Sequence, residues 1–464
     1  MDVMQQAEEV LEAATNEEPR SSYSGPLPPD RIAWIVMLAA FALFCTVTLS
    51  TIFGVYHYLF RSTVAMSATL QVATGTIGIV PGADPTVVAV RENRELTNSI
   101  TGISTDSLSQ ATILIRESPA EAEAATLLAA VTLQGDTQVT FNNANRPRFE
   151  WSQNPQHVLF SALKGELDVL VTGVGDRSFL MDIYSDDLNS DKGVNVQIRS
   201  NGRYRLSVTE DEVRVLNLSG EAYAYFRDDD SRRELVRGGQ ELVARIGARS
   251  ISNRSTTDNF LKNGSFSLLE GSRATSALTD WQCSVVQRQA PPGNYSLVRF
   301  DGRIGLRLSR FNNAQSNGAV RCTQSFAGEG LSVSEYDSLR VLTTFRTNYQ
   351  SLSVCGRAAS ECPLMLQISY FDENARDIRH WYRGFYYADD VSADARKRCD
   401  SCIQDHVDIN QGVWYTFDSD NLFNLIADIN KPERIKSVSF YASGHQFDTI
   451  VSEMILLLGE SSAG

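Results

Sequence analysis

The longest apolar run in the chain covers residues 32–60 and contains no Asp, Glu, Lys or Arg. A helix needs about 20 apolar residues to cross the hydrocarbon core of a bilayer, and this run is longer. Trp34 near one end, with Tyr56 and Tyr58 near the other, is typical of the interfacial aromatics of a membrane span. The pattern therefore predicts one transmembrane helix over residues 32–60, in contact with membrane lipid.

An apolar run could also be a cleaved signal peptide or a buried helix of a globular protein, and the sequence disfavours both. A cleaved signal peptide has an apolar core of about 7–15 residues behind a short basic leader, whereas this leader is long and acidic. Ala65 and Ser67 do resemble a small-residue cleavage site. A helix buried in a globular protein would show a polar face, which this run lacks. We therefore expect an acidic cytoplasmic tail over residues 1–31, followed by a membrane anchor.

Beyond the anchor, residues 62–250 alternate between apolar and polar positions and are rich in Val, Ile and Thr. Gly, Asn and Asp interrupt these segments at intervals of roughly 8–12 residues, which is typical of an all-β domain. One segment differs, because Ser118 precedes a proline and is followed by glutamates. This pattern predicts a short helix over residues 118–130.

Several motifs in this region resemble the FecR-type extracytoplasmic domain. A glycine-led strand at Gly202 is followed by a V-x-V-x-x-x-x-G-x-A pattern from Val213, and a glycine turn at Arg237-Gly-Gly-Gln closes the region. Residues 68–79 and 96–115 are similar to the opening strands of that family. The resemblance covers residues 65–250 and implies a fold, not a chemistry, because its motifs are turn glycines and strand apolars.

Relatives of the FecR type often transmit signals to a cytoplasmic sigma-factor partner. The tail of residues 1–31 lacks the His and Cys that zinc-type anti-sigma domains use. The resemblance therefore makes transmembrane signalling an alternative function for this chain.

Aromatic residues become dense from residue 257 onward. The region opens with Asn259-x-x-x-Asn-Gly-x-Phe, continues through Trp281 and closes with the apolar segment 450–458. These features resemble a galactose-binding-like or carbohydrate-binding jelly roll, which implies a β-sandwich over residues 257–460. Many such domains place an acidic calcium ligand after the opening Phe, where this chain has Ser267. We expect no cofactor, and calcium in a structural role is the one ion that the resemblance implies.

Cysteine usage indicates the compartment. Cys45 lies within the predicted span, and the other six of the seven cysteines lie in the last part of the chain: Cys283, Cys322, Cys355, Cys362, Cys399 and Cys402. An even number in one region is typical of disulfides formed outside the cytoplasm. Basic residues near the span favour the same orientation only weakly. We therefore expect residues 62–464 to be extracytoplasmic.

The pairing of these cysteines stays open, because six cysteines allow 15 connectivities. The nearest pairs in sequence are Cys355–Cys362 and Cys399–Cys402, which leaves Cys283–Cys322. The alternatives are free thiols, a redox centre or a metal site, since His406 follows the C-x-x-C pair. A zinc site would need a second ligand pair at suitable spacing, and the sequence offers none. No metal site is therefore predicted.

Two function classes are disfavoured by composition and motifs. The chain has five histidines, no G-x-S-x-G nucleophile motif and no phosphate-binding glycine loop. We therefore expect a protein that is not an enzyme. The net charge is −14 and no basic stripe is present, so no nucleic-acid partner is expected.

Two aromatic clusters carry the candidate binding residues. Strand alternation places Trp381 on one face with Arg383, and a second cluster surrounds Trp414. Together with Tyr387, these side chains are the candidates for an exposed platform on which a sugar ring stacks. The alternative is that the aromatics fill the core of the sandwich.

The sequence thus predicts a mainly β protein with one N-terminal transmembrane helix, a FecR-like β domain and a C-terminal β-sandwich. Its predicted function is that of a membrane-anchored binding or scaffold protein of the cell envelope, which recognises a glycan or a protein partner. A FecR-like signalling regulator and a structural subunit of a larger membrane complex are the alternatives.

Overall fold

The computed structural model describes residues 29–82, 86–96, 100–117, 126–173, 177–186, 193–255, 257–266, 278, 280–287, 290–373, 377–388, 396–427 and 430–459. Among the described residues, strands account for 54% and helices for 10%, with an apolar helix near the N-terminus. The predicted fold class, mainly β with a β-sandwich and one N-terminal helix, is confirmed. The chain divides into two compact units, one ending at Ser62 and the other covering Thr63–Gly464.

Helix α1 covers Pro29–Arg61 and has no buried residue. It is long and apolar enough to cross a membrane. Two of its hydroxyl groups are satisfied within the helix, since Thr46 Oγ1 donates to Ala42 O and Thr51 Oγ1 donates to Val47 O, both at 2.8 Å. Such bonds to the preceding turn let a threonine lie in an apolar environment without an unsatisfied donor.

The first β domain contains eighteen strands within the described residues. They are β1 Thr63–Ala65, β2 Ser67–Thr74, β3 Ile77–Pro81, β4 Val88–Val90, β5 Arg94–Leu96, β6 Thr101–Thr105, β7 Gln110–Arg116, β8 Leu127–Leu133, β9 Gln138–Pro147, β10 Gln156–Val171, β11 Phe179–Tyr184, β12 Val194–Ile198, β13 Gly202–Val208, β14 Glu212–Ser219, β15 Glu221–Phe226, β16 Glu234–Arg237, β17 Gln240–Arg245 and β18 Ser250–Ser255.

Strand β10 connects the two halves of this domain. Its first half pairs with β9 and, in parallel, with β11, and its second half pairs with β8 and β13. The pairing shifts register between Ala162 and Lys164, and Gly165 has a positive φ of 107°. A side chain at Gly165 would meet the backbone of Thr137 at 2.4 Å, so this bend requires glycine. The strands thereby enclose one apolar core.

The helix predicted over residues 118–130 is wrong in its second half. Leu127–Leu133 forms strand β8, in which every residue is buried, and residues 118–125 lie outside the described part. Both faces of β8 are covered, which makes its sequence continuously apolar. A short apolar run of this kind does not distinguish a buried strand from a helix.

In the part of the second β domain that the structure describes, there are strands β19–β31 and one short helix. They are β19 Thr257–Asn259, β20 Gln282–Gln287, β21 Asn294–Phe300, β22 Arg303–Arg310, β23 Gly318–Ser325, β24 Leu331–Ser332, β25 Ser338–Gln350, β26 Leu364–Phe371, β27 Arg379–Tyr386, β28 Val407–Asp408, β29 Trp414–Asp418, α2 Leu422–Leu425, β30 Arg434–Gly444 and β31 Phe447–Gly459.

These strands form the two sheets of a sandwich. The docking sheet has the order β21-β22-β31-β25-β29, with β19 on β31, and the outer sheet has the order β20-β23-β30-β26-β27-β28, with β24 on β30. Aromatic side chains from both sheets meet in the core, where Phe345 and Phe385 have ring centroids 4.6 Å apart. Such ring contacts add about 0.5–1.5 kcal/mol to the burial of their area.

The outward face of the docking sheet packs against the first β domain. Leu342, Ile455 and Leu457 of the docking sheet contact Leu216 and Leu218 of β14. Strand β31 is consequently buried along its whole length. Because one face of β31 meets the sandwich core and the other meets this interface, the second half of the strand is continuously apolar over residues 454–458.

Charged side chains dominate the rest of this interface. Arg205 of the first domain donates to Asp168 through Nε (2.9 Å) and Nη2 (3.0 Å), and its Nη1 bonds Asp418 of the second domain. Burial acts to raise the pKa of Asp168, but the charges of Arg205 and Arg203, together with hydrogen bonds from Arg205 and Gln134, outweigh it and hold that pKa below its usual range. The same balance, with Arg340 as a further partner, lowers the pKa of Asp418.

A side-chain amide extends the docking sheet across the interface. Gln110 Nε2 donates to Thr416 O at 2.7 Å, and Thr416 N–H donates to Gln110 Oε1 at 2.9 Å. Asn410 makes a similar pair of bonds, from its N–H to Ala73 O (2.9 Å) and from Nδ2 to Val72 O (3.0 Å). These paired bonds satisfy edge groups of both domains that burial would otherwise leave unpaired.

We expect Arg205→Met to lower the free energy of unfolding by about 3–5 kcal/mol, because Asp168 would stay buried without the cation that bonds it and Asp418 would keep only Arg340. Urea denaturation of the full chain in detergent, followed by tryptophan fluorescence, measures this loss. Arg214→Ala is the matched control, since its pair with Glu212 is half exposed and should contribute about 0–1 kcal/mol. Equal losses in the two variants would contradict a central role for Arg205.

Candidate functional site

The outward face of the outer sheet carries the candidate site. The first β domain packs on the opposite sheet of the sandwich, whereas among the described residues of this face His380 is exposed and Arg321, Thr323 and Tyr382 are half-buried. We call the following set of side chains on strands β23, β26, β27 and β30 the polar face: Arg321, Thr323, Gln367, Ser369, His380, Tyr382, Ser439 and Tyr441.

Strand register brings these residues together. Along each strand, core positions such as Val320, Cys322, Leu366 and Ile368 alternate with polar-face positions. Arg321 lies opposite Tyr441. In the neighbouring row, Thr323, Ser439, Gln367 and Tyr382 follow one another across four strands. Ser369 and His380 are partners in the next row.

Hydrogen bonds hold the side chains of the polar face in place. The Arg321 guanidinium lies 4.0 Å from the ring centroid of Tyr441 and donates to Gln367 Oε1. Gln367 Nε2 donates to Ser369 Oγ at 3.2 Å and lies 3.0 Å from His380 Nδ1. A cation over an aromatic face and a fully bonded amide restrict both side chains to one conformation.

The polar face carries its charge on Arg321. Burial, with the charge of Arg321, lowers the pKa of His380. Burial raises the pKa of Tyr382, and it raises the pKa of Tyr441 to about 12. At neutral pH the two phenols and the imidazole are therefore uncharged. Gln367, Ser369, Ser439 and Tyr441 are buried, so the accessible groups of this face are the exposed imidazole of His380 and the half-buried Arg321, Thr323 and Tyr382. An aromatic ring beside polar groups is the chemistry that sugar C–H faces and sugar hydroxyls require.

Two disulfide-bonded loops pack on one end of the polar face. Cys355–Cys362 and Cys399–Cys402 form an apolar cluster with Tyr441, and Tyr382 packs against it. The third disulfide, Cys283–Cys322, joins β20 to β23. The three pairs that the sequence favoured by proximity are thus the ones present.

His406 attaches these loops to strand β27. Its Nδ1 accepts from Gly384 N–H at 3.0 Å, and its Nε2 donates to Ala359 O at 2.7 Å. A side chain at Gly384 would lie 2.4 Å from Cys362 Sγ and 2.7 Å from His406 Nδ1, so the loops reach the strand only because this residue is glycine. Burial is the largest cause of the lowered pKa of His406.

The cysteines beside His406 hold no metal in this arrangement. The Sγ atoms of each nearby pair come within 4.8 Å of a ring nitrogen of His406, the spacing of metal ligands. Each pair is bonded as a disulfide, and both ring nitrogens bond backbone groups. A metal ion binds a thiolate sulfur or an imidazole nitrogen with a free lone pair, and these residues offer neither. Ser267, at the position of the calcium ligand in the related jelly rolls, lies outside the described residues.

The prediction that Trp381 and Trp414 form an exposed platform is wrong, because each side chain is 1% exposed. Trp381 lies in the sandwich core. Trp414 points outward from the docking sheet, and its Nε1 donates to Asp301 Oδ2 at 3.2 Å. Asp301 in turn pairs with Arg116 of the first β domain. Trp414 is therefore neither platform nor core but part of the interdomain interface.

Arg383 and Tyr387 are half-buried and lie apart from the polar face. Arg383 donates to Asp405 O at 2.5 Å and lies 5.8 Å from the ring centroid of Phe417. It lines a polar cavity of about 680 Å³ between the two β domains. The Tyr387 hydroxyl accepts from Gln350 N–H at 2.9 Å, which ties the end of β27 to β25. Burial lowers the pKa of Arg383 and raises that of Tyr387.

The sequence prediction included the segment that contains His380 and Tyr382, but it chose the inward-facing Trp381 and Arg383 of that segment as binding candidates. Arg321, Gln367 and Tyr441 were missed because they come from other strands. The alternation of Val320-Arg-Cys-Thr and of Gln367-Ile-Ser was a usable signal, because a polar side chain between two core positions must point outward.

Comparisons with known proteins give distant structural neighbours. No protein-family model and no curated protein matches the chain. The family 11 carbohydrate-binding module of cellulase Lic26A-Cel5E from Clostridium thermocellum matches 45% of this chain over 98% of its own length, with 11% identity and a TM-score of 0.25. A candidate anti-sigma factor from Parabacteroides distasonis matches 33% of this chain with 11% identity and a TM-score of 0.22. This chain spans 59% of that protein's length.

Acidification should destabilise the loop attachment through His406. The imidazole of His406 has a pKa of about 6.5 in the unfolded chain and a lower pKa in the folded protein. Below about pH 6.5 the unfolded state therefore binds more protons than the folded state. The contribution is thus fully present above about pH 6.5 and is lost as the pH falls. Thermal melts of the full chain between about pH 7.5 and pH 5 should show a smaller decline for His406→Gln than for the native protein. His445→Gln, which leaves both bonds of His406 intact, should retain the native decline, and identical slopes in all three proteins would refute this role.

Proposed function

We propose that this chain is a membrane-anchored, extracytoplasmic binding protein without enzymatic activity, and that its polar face recognises a neutral glycan. The observation that carries the proposal is the polar face itself, where the ring of Tyr382 lies beside Arg321 and His380, and the buried amide of Gln367 bonds both and holds them in place. Stacking on a ring combined with planar hydrogen-bonding groups suits a sugar, which is apolar on one face and polar at its rim.

The rigidity of the polar face supports this function. A binding surface loses less entropy when its side chains are already held in one conformation. Here Arg321 is fixed by Tyr441 and Gln367, and the disulfide-bonded loops fix the end of the strand that carries Tyr382. The likeness of the sequence to carbohydrate-binding jelly rolls favours the same class of ligand.

The anchoring part of the proposal rests on helix α1 and the disulfides. The helix has the length and composition of a membrane span, and three disulfides are typical of a domain outside the cytoplasm. Residues 62–464 would then lie at the cell surface or in the periplasm.

We expect Tyr382→Ala to weaken glycan binding by about tenfold, because an aromatic stacking contact contributes about 0.5–1.5 kcal/mol beyond the area it buries. The full chain in detergent is first applied to a glycan array, and the best oligosaccharide is then titrated by calorimetry. Tyr349→Ala is the matched control, since Tyr349 is 38% exposed and lies on the docking sheet. An array without any bound glycan would contradict the proposal and point to a protein partner.

Protease accessibility tests the orientation. Added to intact cells, or to spheroplasts where an outer membrane is present, a protease should digest the part beyond α1 and spare the tail of residues 1–31. Antibody tags at the two ends distinguish the fragments. Protection of the C-terminal tag until the membrane is permeabilised would show the opposite orientation and exclude an extracellular ligand.

A further inference from the structure

A second cavity, of about 250 Å³, lies between the two β domains on the side of the docking sheet. Arg203 and Leu170 of the first domain contribute to its lining, as do Arg299, Arg303 and Glu453 of the second. The lining contains three arginines but one carboxylate, so its charge is positive. This cavity lies on the opposite sheet of the sandwich from the polar face.

Arg303 is the unusual member of this lining. It is 4% exposed, yet its guanidinium makes no hydrogen bond or ion pair with any described residue, and its Nε is buried without a partner. Its guanidinium carbon lies 5.1 Å from the ring centroid of Trp414. Burial and the charge of Arg203 lower the pKa of Arg303 to about 10. Burying a cation without a counter-charge costs free energy. A buried, unpaired arginine beside a cavity is therefore expected to bind an anion there.

The two acidic groups nearest to Arg303 are already engaged. Glu453 pairs with Arg203 at 2.7 Å. Asp301 pairs with Arg116 and accepts from Trp414 Nε1. Neither carboxylate therefore compensates Arg303 fully, and the positive charge is left facing the cavity.

Interdomain docking fixes the position of Arg303. The turn before it has Gly302 at a positive φ of 76°, and a side chain there would lie 2.3 Å from Leu127 Cβ of the first domain. This close approach, together with the Arg116–Asp301 pair, holds the start of β22 against strand β8. The guanidinium is thus placed before any ligand arrives, which lowers the entropy lost on binding.

We propose that this cavity binds the oxyanion of a small solute, a carboxylate or a phosphate, between Arg303 and Arg203. The planar guanidinium fork matches both groups, because each presents two oxygens at the spacing of two N–H donors. A volume below that of ordinary ligand pockets, which hold about 300–1,000 Å³, limits the ligand to a small molecule or one sugar-sized unit. Such an anion contacts both domains and stabilises their docked arrangement.

Isothermal titration of the full chain in detergent tests the proposal with four solutes at equal ionic strength. Sodium D-glucuronate supplies a carboxylate, sodium phosphate supplies the inorganic anion, D-glucose is the uncharged counterpart of glucuronate, and sodium chloride controls for screening. Saturable binding of glucuronate alone identifies a carboxylate site, binding of phosphate alone identifies a phosphate site, and either supports the proposal. Absence of binding by both anions, or equal binding of glucose, overturns it.

Two variants locate the binding in the cavity. Arg303→Gln should weaken binding by at least about tenfold, because the charge-assisted bonds are lost. The melting temperature of this variant without ligand should not fall, because the substitution removes a buried unpaired charge. If Arg303 served only to stabilise the fold, the variant would be less stable than the native protein but would still bind the anion. If Arg303→Gln does not fold, Arg299→Gln at the exposed edge should weaken binding more than the distant surface variant Arg245→Gln does. Unchanged binding in the folded Arg303→Gln protein, or in Arg299→Gln, refutes the site.

Discussion

The ion chain from Asp168 through Arg205 to Asp418 is the interaction on which the arrangement of the two β domains depends. Arg205 is 6% exposed and bonds a carboxylate of each domain. Its pKa is raised because the two carboxylates outweigh the effect of burial. A buried ion pair adds little stability relative to apolar packing, but breaking one is costly. The chain of charges therefore specifies one docked orientation more than it strengthens the contact.

Docking decides which surfaces of the sandwich are available to a ligand. The first β domain covers the outward face of the docking sheet, including Trp414, whereas the polar face of the outer sheet remains accessible. A β-sandwich has two outward faces, and either can in principle carry a binding site. Here the choice between them follows from a neighbouring domain and not from the sandwich itself.

The two sites differ in how their charged groups are satisfied. On the polar face, Arg321 rests on Tyr441 and bonds Gln367, so the surface is ordered and nearly neutral. In the interdomain cavity, Arg303 rests on Trp414 but bonds no described side chain. A satisfied network suits a ligand bound by weak bonds and stacking, whereas an unsatisfied cation suits an anion.

The sequence by itself determined the local features of this protein. The apolar run around residues 32–60, the alternation in the strands and the even number of clustered cysteines are local features of the sequence, so the helix, the β class and the presence of disulfides could be predicted. The pairing of the cysteines stayed open, because six cysteines allow 15 connectivities. Short buried strands such as β8 could not, since burial on both faces removes the alternation.

Tertiary structure alone decided which aromatic and charged residues face a ligand. Trp381 and Tyr382 are neighbours in sequence, and alternation showed that they point to opposite sides but not which side is core. Trp414 looked like a platform or a core residue because the sequence does not state that another domain covers its sheet. Arg321, Gln367 and Tyr441 meet across strands distant in the chain, and that meeting is set by register, which depends on how the whole sandwich closes around its core.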